Sequence, residues 1–180
     1  MSVEGDAGEV RRWFGSVALP SPMPTEAEAI LDELVALLDL LDPQLMDRDH
    51  SSISARDRAR GDRIVTLQIK HVSDPSATVC VDVSGAGAVV GWLGTHEHVD
   101  ATDGDASRPW TSVVVDVVAA VLRGEYEVER VHRGRRLIRT RVRDAVRDGS
   151  VVSETVSLPG WLPLGRSSTQ VQRIDFGVRR

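Results

Sequence analysis

Between Pro109 and Arg143 the chain runs through helix, glycine stop, strand, tight turn and strand, and this order constrains the fold more than any other stretch. Trp110, Val113, Val114, Val117, Val118 and Val121 recur at three- and four-residue spacing, which puts them on one face of a helix. Ser107 offers a cap, Pro109 suits the first turn, and Gly124 stands where a helix commonly ends. Glu125–Val131 and Arg135–Arg143 follow as strands about a turn at Arg133-Gly134. A helix leading straight into a hairpin buries its apolar stripe against a sheet, so the expected class is α+β.

The rest of the chain extends that frame. Thr25-Glu26-Ala27-Glu28 fits a capping box. After it Ala27, Ile30, Leu31, Leu34, Leu38 and Leu41 form an apolar face, which Leu37 and Leu40 widen, and Pro43 stops the helix. Asp42–Asp62 reads as a polar, irregular loop. Arg63–Val72, Ala77–Ser84 and Ala88–Leu93 alternate as three short strands separated by Ser73-Asp74-Pro75-Ser76 and Gly85-Ala86-Gly87, an antiparallel meander. Gly94–Ser107 reads as a long acidic loop, Val151–Leu158 as a strand, and Val171–Val178 as a strand closing the sheet. The expected architecture is a mostly antiparallel sheet of about six strands with two principal helices packed on it. Residues 1–24 form an N-terminal arm docked through Trp13 and Phe14, and residues 25–180 a single domain.

Size and composition agree. A chain of 180 residues with 41% hydrophobic and 27% charged residues has enough apolar material for a core. Aromatics are only 4%, and β-branched valine carries much of the apolar volume, which favours sheet. Cys80 is the single cysteine, so no internal disulfide forms. With an acidic, non-apolar N-terminus and no long apolar run, the expected setting is the cytoplasm. The net charge of −5 speaks against a general nucleic-acid binder.

Three segments invite chemistry. In an extended His96-Glu97-His98-Val99-Asp100 the residues two apart face one way, so His96, His98 and Asp100 could converge on a metal ion for hydrolysis or oxidation. The same residues also describe a solvated acidic loop. Gly85-x-Gly87-x-x-x-Gly91 lies between strands rather than before a helix, so it reads as a hairpin turn and not a phosphate cradle. Seven arginines fall between Arg130 and Arg143, with Arg139, Arg141 and Arg143 on one strand face. They suit cross-strand pairing with Glu125, Glu127 and Glu129, an acidic protein partner, or a phosphate backbone reached through Arg139 and Arg141. Tyr126 is the only aromatic there, too few for base stacking.

No nucleophile elbow is present, and Cys80 sits in a strand rather than at a helix N-terminus. The sequence therefore points to a protein-binding module acting by surface occlusion, in the manner of an immunity protein, inhibitor or escort chaperone, with no cofactor and no catalytic residue. Its expected partner-binding residues are Glu97, Asp100, Asp103 and Asp105, which would meet a basic site, and Trp161 as a loop anchor. A metal enzyme using His96, His98 and Asp100 is the first alternative, and nucleic-acid binding through the arginine hairpin the second. An exposed edge at Val171–Val178 also offers a way to pair two copies into a homodimer.

Overall fold

The computed structural model describes residues 13–14, 22–58, 62–74, 76–105, 107–156 and 166–177. Among the described residues, helices α1 (Thr25–Leu38) and α2 (Trp110–Leu122) accompany nine strands in two antiparallel sheets. The first sheet is a meander of β1 (Ser52–Asp57), β2 (Arg63–Lys70), β3 (Thr78–Ser84), β4 (Gly87–Trp92) and β5 (Thr95–Asp100), in that order. The second holds β6 (Tyr126–Arg133), β7 (Arg136–Asp144), β8 (Val151–Val156) and β9 (Ser167–Arg173) in the order β8-β7-β6-β9. Three consecutive strands with the fourth returned beside the first make a Greek key. The class is α+β with antiparallel sheets, but the described strands number nine in two sheets rather than about six in one.

Both helices cover the same face of the five-stranded sheet, α2 lying on β3, β4 and β5 and α1 on β3 and α2. Strict alternation makes this work. Val79, Val81 and Val83 of β3 are fully buried, and Leu67, Ile69, Val90 and Trp92 continue the same face on the neighbouring strands. Burying one such side chain contributes about 1.5–3 kcal/mol. Trp13 and Phe14 are likewise buried, and the Trp13 indole N–H donates to an Asp39 carboxylate oxygen at 2.9 Å.

Several boundaries differ from expectation for local reasons. Asp42–Asp62 contains a strand, β1, as well as loop, because Ser52–Asp57 is an edge strand with only Ile53 buried and so lacks an apolar pattern. Gly94–Ser107 begins as β5, because Leu93 and Gly94, both at positive φ, form a two-residue turn that folds Thr95–Asp100 back onto β4. Neither helix carries the anticipated side-chain cap. Thr25 is already helical behind Pro24, and Ser107 bonds Asp105 instead. The last strand runs Ser167–Arg173 rather than Val171–Val178, because Ile174 and Phe176 leave the sheet to fill the core. The first part of Val151–Leu158 is β8; its last two residues lie outside those described.

Gly124 ends α2 as anticipated. At φ +66° it lets the Ile174 carbonyl approach to where a Cβ would come within 2.6 Å of it. There the Phe176 amide donates to Leu122 and the Ala145 amide to Glu125. This junction and the stacked Trp92 and Tyr126 rings, 5.8 Å apart, tie the second sheet to the first.

Candidate functional site

The residues singled out in β5 and the following turn do not converge. His96, His98 and Asp100 are exposed on the face of β5 turned away from the helices, whereas Glu97 points to the other face, toward Tyr126. The His96 and His98 rings meet edge to face at 4.9 Å. Among the described residues no group of three or more His, Cys, Asp or Glu side chains is arranged to hold a metal ion. Asp103 accepts the Asp100 amide at 2.7 Å, and Asp105 accepts the Ser107 hydroxyl and the Ser107 and Arg108 amides. Those bonds hold the Asp105 carboxyl below the usual range, the Ser107 hydroxyl contributing most. Both carboxylates therefore shape their own turn. Trp161 lies outside the described residues.

The open face of the five-stranded sheet carries a shallow hollow of about 270 Å³ lined by Arg58, Ile64, Asp82, Ser84, His98 and Asp100. Gly87, at φ +143°, lets the Val99 carbonyl close in beneath it. No hydrogen bond joins His98 to Ser84 or Asp100, so no base is oriented against a nucleophile. Asp82 is engaged by Thr66 at 2.5 Å and Arg56 at 3.3 Å. Burial, and after it Asp82, pushes the half-buried Cys80 thiol up, away from the reactive thiolate.

The four-stranded sheet is built differently. Arg139, Arg141 and Arg143 share a face of β7 and form a ladder with two glutamates. Arg139 meets Glu154 at 3.1 Å, Arg141 meets Glu154 at 3.2 Å and Glu129 at 3.9 Å, and Arg143 meets Glu129 at 2.7 Å. The cross-strand pairing expected for these arginines uses Glu129 of β6 and Glu154 of β8. Glu125 pairs instead with Arg123 at 3.9 Å. The arginines offered to a phosphate backbone, Arg139 and Arg141, are thus already engaged.

Beyond that ladder the edge strands β8 and β9 are exposed. Of the eight exposed large hydrophobic side chains among the described residues, Leu137, Val146, Val151, Val152, Val156 and Val171 lie on or beside this sheet. Arg133, Arg135, Arg136 and Arg166 gather at its far end, where the Gly134 amide donates to the Arg166 carbonyl at 3.2 Å. The sequence places Arg133, Arg135 and Arg136 in the hairpin run but does not bring Arg166 to them, although a further signal was there. Residues 1–122 hold nine Lys and Arg against twenty Asp and Glu, whereas residues 123–180 hold thirteen against seven. A net charge of −5 conceals that division.

No family model matches the chain, nor does any curated protein or solved structure. No helix among the described residues is long and apolar enough to cross a membrane.

Proposed function

We propose that the chain is a cytoplasmic protein-binding module that covers part of its partner's surface and performs no chemistry of its own, as an immunity protein, inhibitor or escort chaperone does. One observation carries this reading. Exposed aliphatic side chains concentrate on a single sheet, at Leu137, Val151, Val152, Val156 and Val171, while the rest of the described surface adds only Leu40 and Val72 beyond the adjoining Val146. Apolar side chains left in water along both edges of one sheet mark a surface meant to be covered.

From the sequence, the partner was expected to bring a basic site to Glu97, Asp100, Asp103 and Asp105. Asp103 and Asp105 use their carboxylates within the turn, so we place the principal contact on the four-stranded sheet. Asp100, exposed at the end of β5, is the acid best placed for a basic partner.

Native mass spectrometry of the protein gently purified from its own host tests the reading. A stoichiometric second polypeptide is expected, and it is expected to be lost from a Val151→Lys, Val156→Lys, Val171→Lys variant. A bare chain carrying tens of daltons of metal would overturn the reading in favour of the histidine strand.

A further inference from the structure

Strand β9 forms one edge of the four-stranded sheet. It pairs with β6 in unbroken register from Glu127↔Arg173 to Arg133↔Ser167, and no described residue pairs with its outer side. Sheet edges of this kind are normally blocked by a proline, a lysine, a bulge or a short length. The opposite edge, β8, is interrupted by the register shift at Val142/Arg143. β9 is seven residues long, unbulged, and contains neither proline nor lysine. Its centre, Ser168–Val171, is uncharged and exposed.

At the Ser167 end of that edge the charge has one sign, whereas at the other end Glu127 stands opposite Arg173. Arg166 precedes β9, Arg173 ends it, and Arg133 stands opposite Ser167. Arg135 and Arg136 extend the group across the β6–β7 turn. Residues 130–143 and 166–174 contain no carboxylate, and Arg135, Arg136 and Arg166 make no ion pair with any described residue. Arg135, Arg136 and Arg166 so placed repel one another until a negative group approaches.

Resting on the protein-binding reading, we propose that the outer side of β9 takes up an extended, acidic segment of the partner protein, which adds a fifth strand to this sheet. Backbone hydrogen bonds along β9 supply affinity, and carboxylates beside the arginines fix orientation and exclude other strands. A second copy of this chain fits poorly. Antiparallel self-pairing about Gln170 sets Arg173 of one copy opposite Ser167 of the other, next to its Arg166, and brings the two basic ends together. Nucleic acid fits poorly as well. Residues 127–144 and 166–173 hold no Phe, Tyr or Trp to stack a base, and the remainder of the molecule is strongly acidic.

The test uses the full-length protein and three labelled probes: a short alternating Glu–Val peptide, its Lys–Val counterpart, and a single-stranded oligothymidylate. The Glu–Val peptide is expected to bind, to weaken as salt is raised, and to slow hydrogen exchange at the amides of Ser167–Arg173. An Arg135→Glu, Arg166→Glu variant is expected to bind it about tenfold more weakly. Equal binding of the Lys–Val peptide, preferential binding of the oligonucleotide, protection on β8 or β5 instead of β9, or a dimer already protected at β9 would each overturn the proposal. The broader reading fails separately. If no polypeptide accompanies the protein from its host, protein binding itself is wrong. A partner that co-purifies but leaves the β9 amides unprotected sinks only the edge-pairing proposal.

Discussion

The two sheets solve the same problem of strand pairing by different physics. In β1–β5, 13 of 33 residues are buried, and the buried face is valine, leucine and isoleucine under two helices. In β6–β9 only Val128 and Val142 are buried among 30 residues, and the sheet is held at its base and laced across one face by the Arg139–Glu154–Arg141–Glu129–Arg143 ladder. Apolar burial is insensitive to salt, whereas exposed ion pairs are screened by it. The molecule thus has a body held by apolar burial and a second sheet held largely by ion pairs and its junction with the first.

The largest effect should come from opening the body. Trp13→Ala removes a buried indole and its bond to Asp39, and should lower the unfolding free energy by about 3–5 kcal/mol. Urea unfolding of the two proteins measures it. A loss under 1 kcal/mol would mean that residues 13–14 do not belong to the core.

A smaller and more local effect should follow Glu129→Gln. Glu129 is only 14% exposed and serves both Arg141 and Arg143, and the Arg141 Nε lies 3.2 Å from Glu154 without the alignment of a hydrogen bond. Removing the carboxylate should destabilise by about 1–2 kcal/mol. Faster amide exchange should be confined to β6–β8, and high salt should shrink the difference from wild type. If exchange in β2–β4 rises equally, the two sheets unfold as one and the contrast between them is only one of appearance.

How far the sequence disclosed this arrangement follows from the same contrast. Apolar alternation revealed β2, β3 and β4, and helical spacing revealed α1 and α2, because burial imposes a pattern on residues. β1 and β5, with one buried residue each, had no pattern to show, and so His96, Glu97 and His98 passed for loop. The division into two sheets was hidden because alternation marks a strand without naming its neighbour. Glu154 was missed as an arginine partner for that reason, since its place beside Arg139 and Arg141 depends on β8 pairing with β7. In the candidate site the arginines and their cross-strand pairing were legible, through Glu129, but the part of Glu154 was not. The arginine-rich end beyond the ladder was legible as part of the arginine run, but the arrival of Arg166 beside it was not.

Acid should act on both sheets. The Val146 and Arg147 amides hold the Asp144 carboxyl below its usual range, as Ser107 does for Asp105. A lowered folded pKa contributes stability that is present above the unfolded value, about 4, and is lost as pH falls through the folded value. Stability should therefore decline below about pH 4. Asp144→Asn should flatten that decline at the base of the four-stranded sheet, and Asp105→Asn should do so beside β5. Cys80 works in the opposite sense. Its raised pKa favours the folded chain below the thiol's ordinary value of about 8.5, and that contribution is lost as pH rises through the folded value. Native protein should consequently resist alkylation at pH 8 and react once unfolded. Rapid labelling of the folded chain would place the thiol in a more open setting than β3 provides.

The smallest effect on stability is the most informative. Val151→Lys, Val156→Lys and Val171→Lys alter side chains that are 46%, 47% and 56% exposed, so each should change the unfolding free energy by less than about 0.5 kcal/mol. The equivalent change within the first sheet, Val81→Lys, should prevent folding, because that side chain is wholly buried and a lone ammonium there has no partner. Thermal melts of the four variants beside wild type make the comparison. Were the three exposed valines to prove as indispensable as Val81, they would be packing against something within this chain, and the four-stranded sheet would lose its claim to be a docking surface. If they melt as wild type does yet lose the partner, stability and binding are assigned to different sheets, which is the arrangement that lets a binding surface change without unfolding the protein that carries it.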